Sequence, residues 1–182
     1  TARRRSEAML RSRLRLSEYA RRATLSELLR AVLDEAELLT ASRIGFFHFV
    51  ERDQQYLELY QWSTNTVEQM CQAVPESHHY SIDVAGVWVD CVHTKRPVVY
   101  NDYPSLPHRK GLPDGHAPIA RMLSVPVMRD GEVVAIIGVG NNHTDYTGED
   151  ADAVSSYATM ALELVERIRA EDDLKQSESM VR

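Results

Sequence analysis

The chain has little cysteine, only Cys71 and Cys91 in 182 residues. That excludes a disulfide framework and a cysteine-rich zinc module, and it fits a reducing compartment. No apolar run approaches the ~20 residues that a membrane helix needs, and no signal-peptide pattern opens the sequence. These absences point to a cytoplasmic, single-domain protein without membrane contact. Catalytic signatures are missing too. There is no Gly-x-x-x-x-Gly-Lys-Ser loop for phosphate, and Gly138-Val139-Gly140 lacks the rest of a dinucleotide fingerprint. Neither a Gly-x-Ser-x-Gly elbow nor a His-Glu-x-x-His helix occurs. The histidines at 78, 79, 93, 108, 116 and 143 form no tight ligand pair with an acidic or thiol partner. No catalytic residue and no metal site is therefore assigned, and any chemistry of a parent enzyme lies outside this chain.

What is present is ordinary for a globular chain: 43% hydrophobic and 26% charged residues. At this size folding hides roughly 70% of the unfolded surface, enough for one sizeable core. The net charge of −6 is unevenly spread. Residues 1–22 carry eight arginines against Glu7 and Glu18, leaving an acidic body. Because the arginines alternate with Met9, Leu10, Leu14, Leu16 and Tyr19, they read as the solvated face of an amphipathic helix rather than a nucleic-acid contact.

Apolar spacing predicts a helix capped by Thr24 or Ser26 and running to Thr40, with Leu25, Leu29, Val32, Ala36 and Leu39 as its stripe. Ile44–Val50 and Tyr56–Trp62 read as strands. A short helix is expected over Thr66–Cys71 and a short strand over His79–Ile82. One helix from Val84 to Thr94, capped by Asp83, follows, then a strand Val98–Tyr100. Residues 101–120, rich in Pro and Gly, form a long loop with at most one helical turn, and loops of this length are usually functional. Leu123–Met128 and Val133–Val139 flank an Asp130-Gly131 hairpin turn. Thr147 caps a long last helix. Strands joined by hairpins with segregated helices mean an α+β fold with an antiparallel sheet.

Polar and aromatic residues cluster between 88 and 121. Trp88 and Cys91, three apart on one expected helix, share a face. Asn101-Asp102-Tyr103 follows a strand directly, while His116 and Arg121 bracket the far end of the loop. Two readings fit. In one, Asn101 and Asp102 shape the loop while His116 and Arg121 satisfy buried carbonyls or Asp102. In the other, these residues line a closed pocket in which Arg121 and His116 face an anionic or carbonyl group. Cys91 reads as a buried, inert thiol.

Taken together, several segments carry a family resemblance. They are Ile44-Gly45-Phe46-Phe47-His48-Phe49, Trp62-Ser63-Thr64-Asn65-Thr66, Ala85 to Cys91, Arg96 to Tyr103, Leu106 to His116, Val125-Pro126-Val127 and Gly138-Val139-Gly140-Asn141 with Tyr146-Thr147. Through them Leu25 to Arg169 resembles a GAF domain, the sensory module of bacterial sensor histidine kinases and cyclic-dinucleotide enzymes. The resemblance implies a sheet with the first and last helices on one face and a loop and short helices enclosing a small-molecule pocket on the other. It also implies helical linkers, at 1–22 and 170–182 around a domain at 23–169. The tail Asp173 to Glu178 would lead into a PAS, kinase or cyclase module of the same chain, and both ends read as connectors. The family binds cyclic nucleotides, tetrapyrroles, iron centres or small metabolites, so no cofactor is named. The cyclic-nucleotide Asn-Lys-Phe-Asp-Glu pattern is absent, since Asn141 is followed by Asn142-His143. Free methionine sulfoxide reductases share the fold, but their cysteine set is not reproduced.

The binding residues expected are Trp88, Asn101, Asp102, Tyr103, His116 and Arg121. A parallel homodimer is expected through the terminal helices, with Val154, Tyr157, Ala161, Leu164 and Ile168 as a seam and Leu10, Leu14, Leu25, Leu29 and Val32 as added apolar surface.

Overall fold

A computed structural model describes residues 2–70, 79–110, 112 and 115–181. Helix α1 spans Ala2–Tyr19 and α2 spans Leu25–Thr40, followed by strands β1 (Ile44–Val50) and β2 (Tyr56–Trp62). A π-turn, Thr66–Met70, stands where the short helix is expected, and Cys71 lies outside the described residues. Then come β3 (His79–Ser81), α3 (Asp90–Thr94), β4 (Val98–Tyr100), β5 (Met122–Arg129), β6 (Glu132–Gly140) and α4 (Gly148–Met180). The six strands form one sheet in the order β3-β2-β1-β6-β5-β4, with every neighbouring pair antiparallel. The fold is α+β, as the sequence predicts.

Local chemistry explains most boundaries. Thr24 caps α2 with Glu27 in a reciprocal capping box, and Thr147 does the same for α4 with Asp150. Asp130 and Gly131 both take positive φ, the geometry of the tight hairpin between β5 and β6. One expected element is different. The single helix predicted over Val84–Thr94 is broken into two 3-10 turns, Ile82–Val84 and Val87–Val89, ahead of α3. Ile82, Ala85, Val87 and Val89 are all buried. A continuous helix would turn residues two apart to different faces, so burial of 85, 87 and 89 together requires the extended backbone seen at Gly86.

The sheet divides two cores. α1, α2 and α4 cover one face, where Leu29, Val32, Phe47, Ile137, Val154, Tyr157 and Ala161 interlock. Each fully buried side chain of this kind stabilises by about 1.5–3 kcal/mol. The stripe Val154, Tyr157, Ala161 and Leu164 is thus consumed by the chain's own core, as are Leu29 and Val32. Leu10 and Leu14 remain 61% and 66% exposed, and the residues of α4 from 169 onward are exposed, with Arg169 reaching back over the Phe49 ring. The arginines of α1 mostly face solvent, but Arg5 pairs with Asp150 at 2.5 Å and Arg15 with Glu35 at 3.0 Å. The second face carries the 3-10 turns, α3 and the 101–121 loop.

On this second face β6 must be bare at Gly138. It pairs with Phe46 on β1 and Ser124 on β5. A Cβ there would stand 2.1 Å from the Phe46 ring tip, so the ring lies directly on the glycine backbone.

Candidate functional site

The site is built on the second face, from β1 outward. Alternation along β1 sends Phe47 and Phe49 to the helical core and Phe46 and His48 the other way. His48 is 4% exposed, and burial holds its imidazole neutral, down to about 3. Over it lies Trp88, ring centroids 4.4 Å apart and tilted by 35°. Phe46 meets the same indole edge-on at 5.2 Å. Trp88 packs on both apolar clusters of this face, touching the sheet floor below and the group of Val87, Tyr103 and Met122 beside it.

Cys91 is buried behind this nest. Its thiol donates to the Trp88 carbonyl at 3.4 Å, and burial pushes it up to about 12, partly offset by the Ser124 hydroxyl. A thiol so placed stays protonated and is a poor nucleophile. Trp88 and Cys91 thus lie on separate helical pieces, the 87–89 turn and α3, yet both side chains pack into the same apolar cluster.

The loop over the nest is pinned at several points. Tyr103 is buried, and its N–H donates to the Ala120 carbonyl at 3.0 Å, closing the loop on itself. His108 Nε2 lies 2.8 Å from Asp90 Oδ2, which also accepts the Tyr100 hydroxyl. Lys110 donates to the Asp83 carbonyl. The remaining predicted residues go elsewhere. Asn101 clamps the Tyr146 backbone, donating to its carbonyl at 3.1 Å and accepting from its N–H at 2.7 Å. Arg121 Nε donates to Asp145 at 2.9 Å. His116 Nδ1 is 2.7 Å from the Ala117 carbonyl, and Asp102 is exposed. Trp88 and Tyr103 come together on the sheet face, while Asn101 and Arg121 tie the loop to the segment ahead of α4. Asn141 adds a third tie, bridging Ala120 N–H and the Pro118 carbonyl at 2.8 Å each.

Phe46 and His48 are the residues that sequence reasoning missed. The available signal was a histidine inside an otherwise apolar strand, where a neutral, buried imidazole has to find a packing role. Among the described residues no group of three or more His, Cys, Asp or Glu side chains could hold a metal.

A second buried titratable group sits on the helical side of β1. Glu37 of α2 lies over Gly45, whose missing side chain makes room; a Cβ there would stand 3.1 Å from Glu37 Oε1. Burial raises its carboxyl to about 7, with the Ser63 hydrogen bond opposing and the nearby Asp34 charge adding. Asp34 itself accepts the Thr64 N–H and hydroxyl at 2.8 and 2.7 Å.

Two outcomes follow from this geometry. Asn101→Ala leaves the N–H and carbonyl of Tyr146 without these partners, so stability should fall by ~1–3 kcal/mol. Amide exchange should rise at residues 141–147 first, and a variant with unchanged exchange there would show that the clamp is idle. Glu37 gives a pH signature. A proton held up to about 7 when folded and released near 4.5 when unfolded contributes stability that is complete below 4.5. That contribution is lost as pH rises through 7. Glu37→Gln cannot lose it, so the variant should gain on wild type between these values, by at most ~1.4 kcal/mol per pH unit. Urea melts across this range measure the difference.

With the geometry in place, known proteins can be compared. The family model described as GAF domain matches residues 22–164. The methyl sulfide methyltransferase-associated sensor of Methanosarcina acetivorans is 29% identical over 154 residues, 84% of this chain, and the chain spans only 15% of that protein's length. The GAF domain of a phosphoenolpyruvate-protein phosphotransferase from Coxiella burnetii superposes with a TM-score of 0.68 at 14% identity, covering 92% of this chain and 98% of that one. The free methionine-R-sulfoxide reductase of Neisseria meningitidis, solved with its substrate, also gives 0.68 at 14% identity, covering 92% and 91%. At such identities the structural likeness speaks for the fold alone. The match over residues 22–164, with the two-faced antiparallel sheet beneath it, establishes that this chain belongs to the GAF domain family.

Proposed function

We propose that this chain is a regulatory sensory domain of a larger signal-transduction protein, of two-component or cyclic-dinucleotide type, acting in the cytoplasm. It binds a small molecule on the Trp88 face of the sheet and passes the signal through its terminal helices. The observation that carries this reading is the set of ties between the 101–121 loop and the start of α4. Asn101 on Tyr146, Arg121 on Asp145, and Asn141 on Ala120 and Pro118 join the loop over the nest to the residues that lead into the Thr147 cap. A molecule that moves the loop must strain these bonds or carry the base of α4 with it. In this reading Trp88 and Tyr103 face the molecule. Asp102 and His116 stand on the loop that closes over it, and Asn101 and Arg121 transmit. The 29% identical relative, named as a sensor, supports the same class.

In this reading the domain carries no chemistry of its own, and the burial that keeps the Cys91 thiol protonated supports it. Incubated with free methionine-R-sulfoxide and a thiol reductant, the chain should consume no more than a protein-free control. Turnover that vanishes in Cys91→Ser or Cys71→Ser would overturn the sensory reading.

The partner in this proposal is a second copy. The seam inside α4 is occupied, so the contact uses Leu10 and Leu14 of α1 and the bare end of α4 beyond residue 169. A helix with so little cover is marginal alone in water and gains most from a parallel neighbour. Light scattering at micromolar concentration should give twice 20.7 kDa, at low and high salt alike. A 20.7 kDa species at all concentrations would remove the dimer.

A further inference from the structure

The Trp88 side chain on the second face is itself arranged like a bound ligand. The Trp88 indole lies over the His48 imidazole at 4.4 Å and takes the Phe46 ring at its edge, as a stacked aromatic molecule would. It is carried on a three-residue 3-10 turn, Val87–Val89, rather than on a full helix. Gly86 precedes it in extended backbone, and a Cβ there would stand 3.2–3.3 Å from the indole's pyrrole edge. The indole therefore folds across a glycine whose missing side chain leaves it space. Trp88 is only partly buried, although the histidine beneath it is 4% exposed. Trp88 packs against the buried group of Val87, Tyr103 and Met122, on which Leu106 and Ile119 of the loop also pack.

The charge around the nest limits what could replace the indole. The imidazole below is neutral, and the thiol behind it is protonated. Of the cations around the nest, Arg121 is engaged on Asp145 and Lys110 on the Asp83 carbonyl, while Arg109, whose charge acts on Tyr103, stands exposed on the loop. An anion placed against His48 would be buried without a counter-charge, which costs several kcal/mol. A flat, uncharged ring meets no such penalty.

We infer that Trp88 is an internal occupant of the ligand site, displaced when a neutral, planar aromatic or heteroaromatic molecule of about bicyclic size takes its place against Phe46 and His48. This rests on the sensory reading above and narrows it to one ligand class. The displacement turns the 87–89 segment outward around Gly86 and lifts the loop at Tyr103, whose cluster the indole joins. Competition between the indole and the ligand weakens binding, so removing the indole must strengthen it.

Unlabelled indole, a copy of the Trp88 side chain, is the probe, and the full chain is labelled with nitrogen-15. Trp62→Phe leaves one indole N–H cross-peak, which belongs to Trp88. Indole should move that peak saturably, and indole-3-carboxylate at the same concentration should not. Trp88→Ala should bind indole at least tenfold more tightly than wild type by calorimetry. If that variant unfolds, Trp88→Phe, which keeps a smaller ring in place, should still gain about threefold. The inference is overturned if indole leaves the Trp88 peak unmoved, if neither variant gains affinity, or if the carboxylate binds as well as indole. Any of these results, with methionine sulfoxide still unconsumed, removes the ligand class while the sensory reading stands. Consumption of the sulfoxide would remove the sensory reading whatever indole does.

Discussion

The peptide between β6 and α4 holds the two faces of the sheet in one register. Tyr146 is its centre. Its hydroxyl lies 2.7 Å from Ser42 Oγ and accepts the Asn142 N–H at 3.3 Å, while Asn101 clamps its backbone from the opposite side. Ser42 continues to Thr40 at the end of α2, and Asn142 donates to the Thr40 carbonyl. One residue, through its hydroxyl and its backbone, thus joins the end of α2, the end of β4 and the entry to α4. Burial pushes the phenol up to about 12, so it stays a hydrogen-bonding group at every physiological pH. Buried networks of this kind hold one arrangement because a half-satisfied one is worse than none.

The same reasoning accounts for the charged residues that are not on the surface by default. Arg5 reaches Asp150, which is at the same time the capping-box partner of Thr147. A carboxylate in the first turn of a helix is favoured by the helix dipole, and a guanidinium beside it adds to that. The Ser12 hydroxyl donates to Glu35 and accepts from Tyr157, fixing α1 against both α2 and α4. α1 is therefore docked by a few specific polar contacts and the burial of Leu16 and Ala20. Arg15 adds a pair with Glu35, and the remaining arginines of α1 stand exposed to solvent.

Two buried groups that titrate below neutral or near it, His48 and Glu37, sit on opposite sides of β1 and pull stability in opposite directions. His48, held neutral to about 3 against an ordinary value of 6.5, weakens the fold as pH falls through that window. Glu37 weakens it as pH rises toward 7. Their windows overlap between about 4.5 and 6.5, so the two slopes offset each other there.

The sequence by itself determined the elements whose signals are local. Thr24 and Thr147 with acidic residues three positions on mark helix starts, Asp130-Gly131 marks a hairpin, and alternating apolar runs mark β1, β2, β5 and β6. Antiparallel α+β architecture followed from these, and so did a long loop between β4 and β5 with one helical turn in it. Tertiary structure alone decided which side chains meet. Trp88 and Tyr103, picked out from sequence, do share a cluster, because both lie on segments folded over the same sheet face. Arg121 and Asn101 turned instead to Asp145 and Tyr146, residues far along the chain that no local spacing connects to them. The expected 84–94 helix failed for a related reason, since burial of Ala85, Val87 and Val89 against the sheet outweighed their helical spacing. His48 was legible as a residue but not as a site, because its meaning depends on Trp88, forty positions later, lying down on it.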